Sequence, residues 1–279
     1  MICNAYMPLP ALREYVECYQ IRHFQFADKS QLPFKPYAPR PEHTLAFYPR
    51  GHEMVEYMQG GSILKRSGSH LIGQAIERTN RHLGSLDFLI ILVNFLPGVL
   101  YRIIGIPSHE LTNISTDAEA IFPKEIKYVN ERLSSTNDHM EMIGIVEKFL
   151  LEMVRSIKKD THPLDTVILN LIRHPENTSV LDLAQSSFLG VRQFERIFKQ
   201  RMGISPKLFI RIARMNKAFR MKYHNPDLDW LSIALCCGYH DYQHLVKDFQ
   251  DFAGVNPTTY FFEDNKSPER IFGLKDSSL

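Results

Sequence analysis

The chain has 279 residues, enough for two domains, because single hydrophobic cores typically span about 100–200 residues. Its 33 Lys and Arg against 31 Asp and Glu make it nearly neutral, so bulk charge alone does not predict a nucleic-acid partner. Four cysteines, of which only two are adjacent, offer no metal-ligand spacing and no evident disulfide framework, which favours a reducing, cytoplasmic location.

Turn-forming residues divide the amino-terminal region into short segments. Proline and glycine recur between apolar runs such as HTLAFYP and DFLIILVNF. The amino terminus has no basic stretch followed by an apolar core, so we do not expect a signal peptide. Short strands broken by turns predict a β-rich barrel or sandwich, which we place at residues 1–115. The most apolar run, Phe88–Leu100, contains Asn94 and Pro97 and is shorter than the ~20 residues of a membrane span. We therefore interpret it as a core strand followed by a turn, and no membrane partner is expected.

Residues 116–162 have a helical pattern and form a predicted linker region. Apolar residues recur at three- and four-residue steps, which predicts one strong amphipathic helix. The stripe consists of Met142, Ile145, Val146, Phe149, Leu150 and Met153. Such a stripe usually packs on its own domain, and a dimer interface is the alternative.

The segment Val180–Pro206 predicts a helix-turn-helix. Ser179 and Asp182 have the spacing of a capping box at the start of a short helix. After a turn, the segment VRQFERIFKQRM forms the second helix, and Gly203 and Pro206 end it and open the next one. The apolar side of this second helix consists of Phe194, Ile197 and Phe198.

The segment Leu231–Pro257 repeats this construction. Asp229 is placed to cap the first helix, Gly238 supplies the turn, and Gly254 precedes the final proline. Between the two units, residues Pro206–Tyr223 predict one helix about 26 Å long, which is stiff enough to fix the distance between them. Helices in successive major grooves on one face of DNA lie about 34 Å apart, so a rigid spacer of this kind suits the reading of two grooves.

The two units resemble the double helix-turn-helix DNA-binding domain of the AraC/XylS family of bacterial transcription regulators, over residues 163–263. The motifs that carry the resemblance are Ala234-x-x-x-Gly238-Tyr239, His244-Leu245, Asp248-Phe249 and Gly254-x-x-Pro257-x-x-Tyr260, with an upstream echo at Arg196-Ile197-Phe198-Lys199 and Gly203-x-Ser205-Pro206. The resemblance implies that the chain binds double-stranded DNA, with RNA polymerase as a partner. Activation is the commoner role in the family, although nothing in the residues decides between activation and repression.

The amino-terminal region is similar to the cupin-like domain of one subgroup of these regulators. That likeness is carried by Pro8-x-x-x-Leu12 to Tyr19, Asp87–Gly98, Ile104-Gly105-Ile106-Pro107 and Glu110-Leu111-Thr112. It implies a domain that binds a small-molecule effector or forms a homodimer, and the ligand is not carried over. Together the resemblances predict an α+β chain: a cupin-like barrel or sandwich, a helical linker, an all-α domain with two helix-turn-helix units joined by a long helix, and a loosely ordered tail at residues 264–279.

Basic residues concentrate in the first unit and the spacer helix. Ten basic residues and one acidic residue lie between Arg192 and Lys222, and such a block attracts phosphate. We favour DNA binding over a merely solvated helix face because the block coincides with the double motif. The candidate base contacts are Arg192 and Arg196 for guanine, Gln193 for adenine and Glu195 for cytosine. The candidate phosphate contacts are Lys199, Lys207, Arg211 and Arg214.

The second unit is less basic, because five aspartates outnumber Lys247 around it. Its candidate base contacts are Gln243, His244 and Lys247. We therefore expect the first unit to dominate affinity and the second to tune specificity.

Signatures of enzyme chemistry are missing from the sequence. Neither a Gly-x-Ser-x-Gly motif, a glycine-rich phosphate loop nor a His-Glu-x-x-His motif occurs, so no catalytic residue or enzymatic activity is expected. No His-x-His occurs in residues 1–110, so we expect neither a metal site nor a cofactor. In that region Glu42-His43 and His52-Glu53 are the pairs that merit checking.

Two alternative functions remain open. One is a cupin-like small-molecule-binding protein or enzyme whose helical part serves as an interaction module, and it predicts a bound metal. The other is an architectural protein that binds any duplex through the basic block, with equal affinity for all sequences.

Overall fold

Eight strands and eleven helices make up the described part of the computed structural model, which covers residues 1–28, 32–58, 60–122, 124–176 and 178–274. The strands are β1 (Ile2–Tyr6), β2 (Val16–Gln25), β3 (Phe34–Tyr37), β4 (His43–Tyr57), β5 (Ile63–Ile72), β6 (Thr79–Leu83), β7 (Asp87–Phe95) and β8 (Ser115–Asp117). The helices are α1 (Val99–Ile104), α2 (Glu125–Ser135), α3 (His139–Arg155), α4 (Pro163–Arg173), α5 (Val180–Ser186), α6 (Val191–Met202), α7 (Pro206–His224), α8 (Trp230–Cys236), α9 (Tyr242–Ala253), α10 (Pro257–Asp264) and α11 (Pro268–Ile271). The predicted division into a sheet-rich amino-terminal region and a helical carboxy-terminal region is confirmed.

An antiparallel sheet forms the amino-terminal domain. Its main strand order is β1-β2-β7-β4-β5-β8, and β6 pairs with both β3 and β4. The long strand β4 pairs with β7 in its first half and with β6 in its second, so it joins the two sides of the sheet. The register changes near Gly51, whose φ is +73° and whose Cβ would lie 2.8 Å from the Asp87 carbonyl oxygen. Glycine is suited to this bend because it alone adopts positive φ readily and leaves room for the neighbouring strand.

The strand β7 is buried on both faces, as its continuous apolar sequence predicts. Leu89, Ile91 and Val93 belong to the core beneath helices α1, α2 and α3. Phe88 and Ile90 point the other way, into a second apolar cluster. Because side chains alternate across a strand, the unbroken apolar run Phe88–Val93 requires cover on both sides.

Helices α2 and α3 pack on the sheet and complete its core. All six residues of the predicted α3 stripe are buried within this chain, with Met142 and Val146 fully inaccessible. The stripe therefore packs on its own domain, and the alternative that it forms a dimer interface is not supported. The region predicted as a linker thus belongs largely to the amino-terminal core.

The prediction of a loosely ordered tail was wrong for residues 264–274. Here the chain continues from α10 into α11, and Glu269 is buried in an ion pair with Lys35 of β3. Phe272 packs against Phe24 and Phe26, with ring centroids 6.1 and 5.4 Å apart. These partners lie more than 200 positions away along the chain, so the local sequence carries no signal of the contact. Residues 275–279 lie outside the described residues.

The carboxy-terminal helices pack directly against the amino-terminal domain. Ser108 Oγ donates a hydrogen bond of 2.8 Å to the Arg201 carbonyl, and Thr112 Oγ1 donates one of 3.0 Å to the Gly203 carbonyl. Carbonyl groups at a helix carboxy terminus have no partner within the helix, so these hydroxyls satisfy the end of α6. At a second place, the Tyr260 hydroxyl of α10 accepts a 2.9 Å hydrogen bond from the Ala38 backbone N–H.

Candidate nucleic-acid interface

The first helix-turn-helix consists of α5 and α6. The predicted capping box is present: Ser179 Oγ accepts from the Asp182 N–H, and the Asp182 carboxylate accepts from the Ser179 N–H. The turn contains Phe188, which is exposed and has a φ of +55°. In α6, Phe194 and Phe198 are fully buried and pack the helix against the core of the carboxy-terminal domain.

One exposed face of α6 collects the predicted contacts of the first unit. The exposed residues are Arg192, Gln193, Glu195, Arg196 and Lys199. They lie opposite the buried phenylalanines, as the helical period requires. The predicted base-reading residues therefore share one accessible surface, and their contacts with DNA remain a prediction.

The second helix-turn-helix consists of α8 and α9. Asp229 caps α8 by accepting from the Ser232 N–H at 2.9 Å, and Asp241 caps α9 by accepting from the His244 N–H at 2.9 Å. Leu245 and Phe249 are fully buried on the inner side of α9. The predicted contacts Gln243, His244 and Lys247 are all exposed on the other side.

A concave polar surface of about 520 Å³, which we call the α7–α9 groove, lies between the spacer helix and the second recognition helix. Its wall includes Lys207, Arg211 and Arg214 from α7. His244 and Lys247 contribute from α9. The structure thus brings together predicted phosphate contacts and predicted base contacts from different units. Asp248 and Asp251 line the same groove, so basic and acidic groups face each other in it.

Arg211, a predicted phosphate contact, is paired with two aspartates of α9 in the structure. It donates from Nε to Asp248 Oδ1 at 2.9 Å and also pairs with Asp251. Asp248 is buried and accepts a further 3.0 Å hydrogen bond from the Tyr239 hydroxyl. Burial raises the pKa of Asp248, whereas the hydrogen bond and charge of Arg211 act in the opposite direction. Arg211 therefore holds α7 against α9, with its charge neutralised by two carboxylates.

Other members of the basic block are also neutralised or engaged by neighbouring groups. Arg201 is buried and forms a bidentate ion pair with Asp165, at 2.6 and 2.5 Å. Lys217 pairs with Glu176 at 2.5 Å. Arg214 donates to the Gly238 carbonyl at 3.2 Å. The count of basic residues therefore overstates the positive charge that is available to DNA, because carboxylates neutralise part of it. These carboxylates lie in distant parts of the sequence, so the count could not include them.

A second cavity of about 520 Å³ lies where β2, α4 and α7 meet. Its basic lining residues are Arg173, Lys217, Arg220 and His224. Leu169, Ile172 and Met221 supply an apolar wall, and Glu17 contributes from β2. Sequence reasoning did not identify this cavity, because its lining comes from three separated segments.

The histidine pairs named from the sequence contact other protein groups in the structure. Glu53 is buried and accepts from the Tyr48 hydroxyl at 2.6 Å and from Arg66 at 3.3 Å, while His52 contacts Ser85. His43 is buried on β4. Within the described residues, His240, Asp241 and His244 are the one group of three with metal-ligand spacing. Its signal in the sequence is the local spacing His240-Asp241-x-x-His244.

Family models match the two halves of the chain separately. A helix-turn-helix domain model matches residues 183–262, and a domain of unknown function (DUF6597) matches residues 4–117. None of the helices in the described ranges combines the length and the apolar character needed to cross a bilayer.

Among the proteins similar to this chain are two curated transcriptional regulators and a solved structure of ToxT. An uncharacterised HTH-type transcriptional regulator of Haemophilus influenzae is 30% identical over 99 residues, which cover 35% of this chain and 33% of that protein. The HTH-type transcriptional regulator ArgR of Pseudomonas aeruginosa is 28% identical over 137 residues, covering 44% of this chain and 41% of that protein. The structure of ToxT from Vibrio cholerae with a bound unsaturated fatty acid has a TM-score of 0.50 at 12% identity and covers 90% of this chain and 97% of that one. The ToxT likeness shows the two-domain fold, and the chain's match spans only about a third to two fifths of the curated relatives.

Proposed function

We propose that this chain, whose residues 183–262 form a double helix-turn-helix domain of the AraC/XylS type, is a sequence-specific DNA-binding transcription regulator. The observation that carries the proposal is the pair of exposed recognition faces on α6 and α9, each the second helix of its unit.

The spacer helix supports the reading of two successive major grooves. α7 runs over 19 residues, which corresponds to about 28 Å at 1.5 Å per residue. It contacts both α8 and α9 and is anchored to α9 through Arg211 and Asp248. A stiff, anchored spacer is able to hold two helices at a fixed distance, and the reading of successive major grooves requires about 34 Å between them. In this mechanism Arg192 and Arg196 read bases, while Lys199 and Lys207 contact phosphates.

Regulation follows from the position of the protein on DNA. Bound at a promoter, the chain would help or hinder RNA polymerase, and the amino-terminal domain would control binding through an effector or a homodimer. A reducing cytoplasm is the compartment in which such a regulator and its four free cysteines work.

Replacing Arg196 by alanine should weaken binding to the cognate site by about 1–3 kcal/mol, because a bidentate contact to guanine is lost. Replacing Lys207 by alanine should weaken binding to all duplexes alike, because phosphate contacts carry no sequence information. The cognate site is first recovered by selecting bound fragments from the source genome, and affinities are then measured by fluorescence anisotropy on cognate and scrambled duplexes. Equal losses on both duplexes for Arg196→Ala would rule out base reading by this residue.

The cavity between β2, α4 and α7 supports control by a small molecule. Its basic residues suit a carboxylate and its apolar wall suits a hydrocarbon chain, and ToxT was solved with an unsaturated fatty acid bound. An unsaturated fatty acid should raise the melting temperature of this chain, and the corresponding alcohol should not. Arg220→Ala, at an exposed position, should abolish the shift. A shift of the same size with the alcohol would assign the effect to nonspecific apolar binding.

A further inference from the structure

Three side chains with metal-binding donors converge at the amino terminus of α9. His244 Nδ1 lies 2.9 Å from Asp241 Oδ1, and His240 Nδ1 lies 3.6 Å from Asp241 Oδ2. Ligand atoms of the three residues all lie within 4.8 Å of one another. Two imidazoles thus flank the two oxygens of one carboxylate.

We propose that His240, Asp241 and His244 bind a divalent transition metal ion of the zinc type, and that the bound ion contacts a DNA phosphate. Imidazole and carboxylate donors suit zinc, whereas magnesium prefers oxygen ligands alone. Three protein ligands leave one position of a tetrahedral ion open.

The local structure positions these ligands with little reorganisation. Asp241 Oδ1 is held by the His244 N–H at the start of the helix, while its other oxygen lies toward His240. All three ligands come from a five-residue segment, so no distant parts of the chain have to approach each other. The imidazole of His240 is 90% exposed and that of His244 is 62% exposed, which leaves an open path for an ion.

The position of the cluster points to phosphate as the ligand that completes the site. His240 and His244 line the α7–α9 groove, together with Lys207 and Lys247. Within this groove the charge of Arg211 is neutralised by Asp248 and Asp251. A divalent ion would restore positive charge where the aspartate-rich second unit lacks it, and phosphate oxygen is a ligand that such ions accept. This step rests on the proposed DNA-binding function.

The metal site is tested without DNA by titrating the untagged full-length chain with Zn²⁺ in competition with a chromophoric chelator. We expect one ion per chain and at least about tenfold weaker binding in both variants, because His240→Ala removes a ligand and Asp241→Asn replaces an anionic carboxylate ligand by a neutral amide. Asn retains the capping function of Asp241, so the melting temperature of Asp241→Asn should be unchanged. The matched control His174→Ala, which removes an exposed histidine on another part of the surface, should bind zinc as the parent chain does. Zinc binding that is absent, or equally strong in His240→Ala, would overturn the site.

The phosphate contact is tested by measuring affinity for a selected duplex with and without Zn²⁺ at constant ionic strength. Zinc should tighten binding by about tenfold in the parent chain, comparable to one added charge-assisted contact, and should have no effect in His240→Ala. Weaker binding on zinc addition, or an equal gain in both chains, would refute the bridge. If the chain bound no duplex at all, the proposed function would fail, while the titration without DNA would still decide the metal site.

Discussion

Replacing Arg201 by methionine should lower the free energy of unfolding by about 3 kcal/mol. Arg201 is 4% exposed, forms two hydrogen bonds with Asp165 and lies 5.3 Å over the ring of Tyr101. Methionine retains most of the apolar packing but leaves the Asp165 carboxylate without its partner in a largely buried place. Removing one member of such a pair costs more than the pair contributes, because an uncompensated charge remains. Urea unfolding monitored by circular dichroism measures the change.

The matched control is Arg196→Met on the same helix. Arg196 is exposed, and surface substitutions usually change stability by less than about 0.5 kcal/mol. The two variants should therefore differ in what they lose. Arg196→Met should lose affinity for the cognate duplex at an unchanged free energy of unfolding, and Arg201→Met should lose stability. A stable Arg201→Met chain with reduced DNA affinity would instead place Arg201 in the interface.

Acidification should destabilise the fold through His43. This imidazole is fully buried, and burial lowers its pKa to about 4, while a backbone hydrogen bond to Met202 acts in the opposite direction. The unfolded chain, with a histidine pKa of about 6.5, then binds the proton more tightly than the folded chain does. The stability contributed by neutral His43 is present above about pH 6.5 and is lost progressively as the pH falls towards 4. The loss attributable to this residue is about 2 kcal/mol between pH 7 and pH 5.

The pH prediction is measured as a difference between two chains. Unfolding free energies at pH 7 and pH 5 are compared for the parent chain and for His43→Leu, which removes the titrating group. Other buried histidines contribute equally to both, so the parent should lose about 2 kcal/mol more than the variant. Parallel pH profiles would show that His43 is not the group that responds.

Local sequence patterns correctly predicted helix caps and buried helix faces, because each of these features is encoded within a short segment. The capping box of Ser179 and Asp182, the caps by Asp229 and the burial of Phe194 and Phe198 all follow from spacing along single helices. The family resemblance was confirmed too, since its motifs are short local patterns. These features depend on residues only three or four positions apart.

Features that depend on contacts between distant residues could not be predicted from the sequence. The partner of Arg211 lies 37 positions away, and that of Arg201 lies 36 positions away. Counting charges along the chain therefore assigned to DNA a guanidinium group, Arg211, that two aspartates neutralise. The helix α11 and the contact of Phe272 with Phe24 likewise depend on a tertiary surface that no local pattern describes.

If the chain binds DNA as proposed, the two hydroxyl contacts at the end of α6 would let the amino-terminal domain set the distance between the two recognition helices. Ser108 and Thr112 tie the first recognition helix to one part of this domain, while Ala38 ties α10, next to the second recognition helix, to another. A distortion of the domain that moved one anchor by about 3.4 Å relative to the other would shift the preferred spacing by about one base pair. Effector binding would then change which promoters the chain fits, rather than only how tightly it binds.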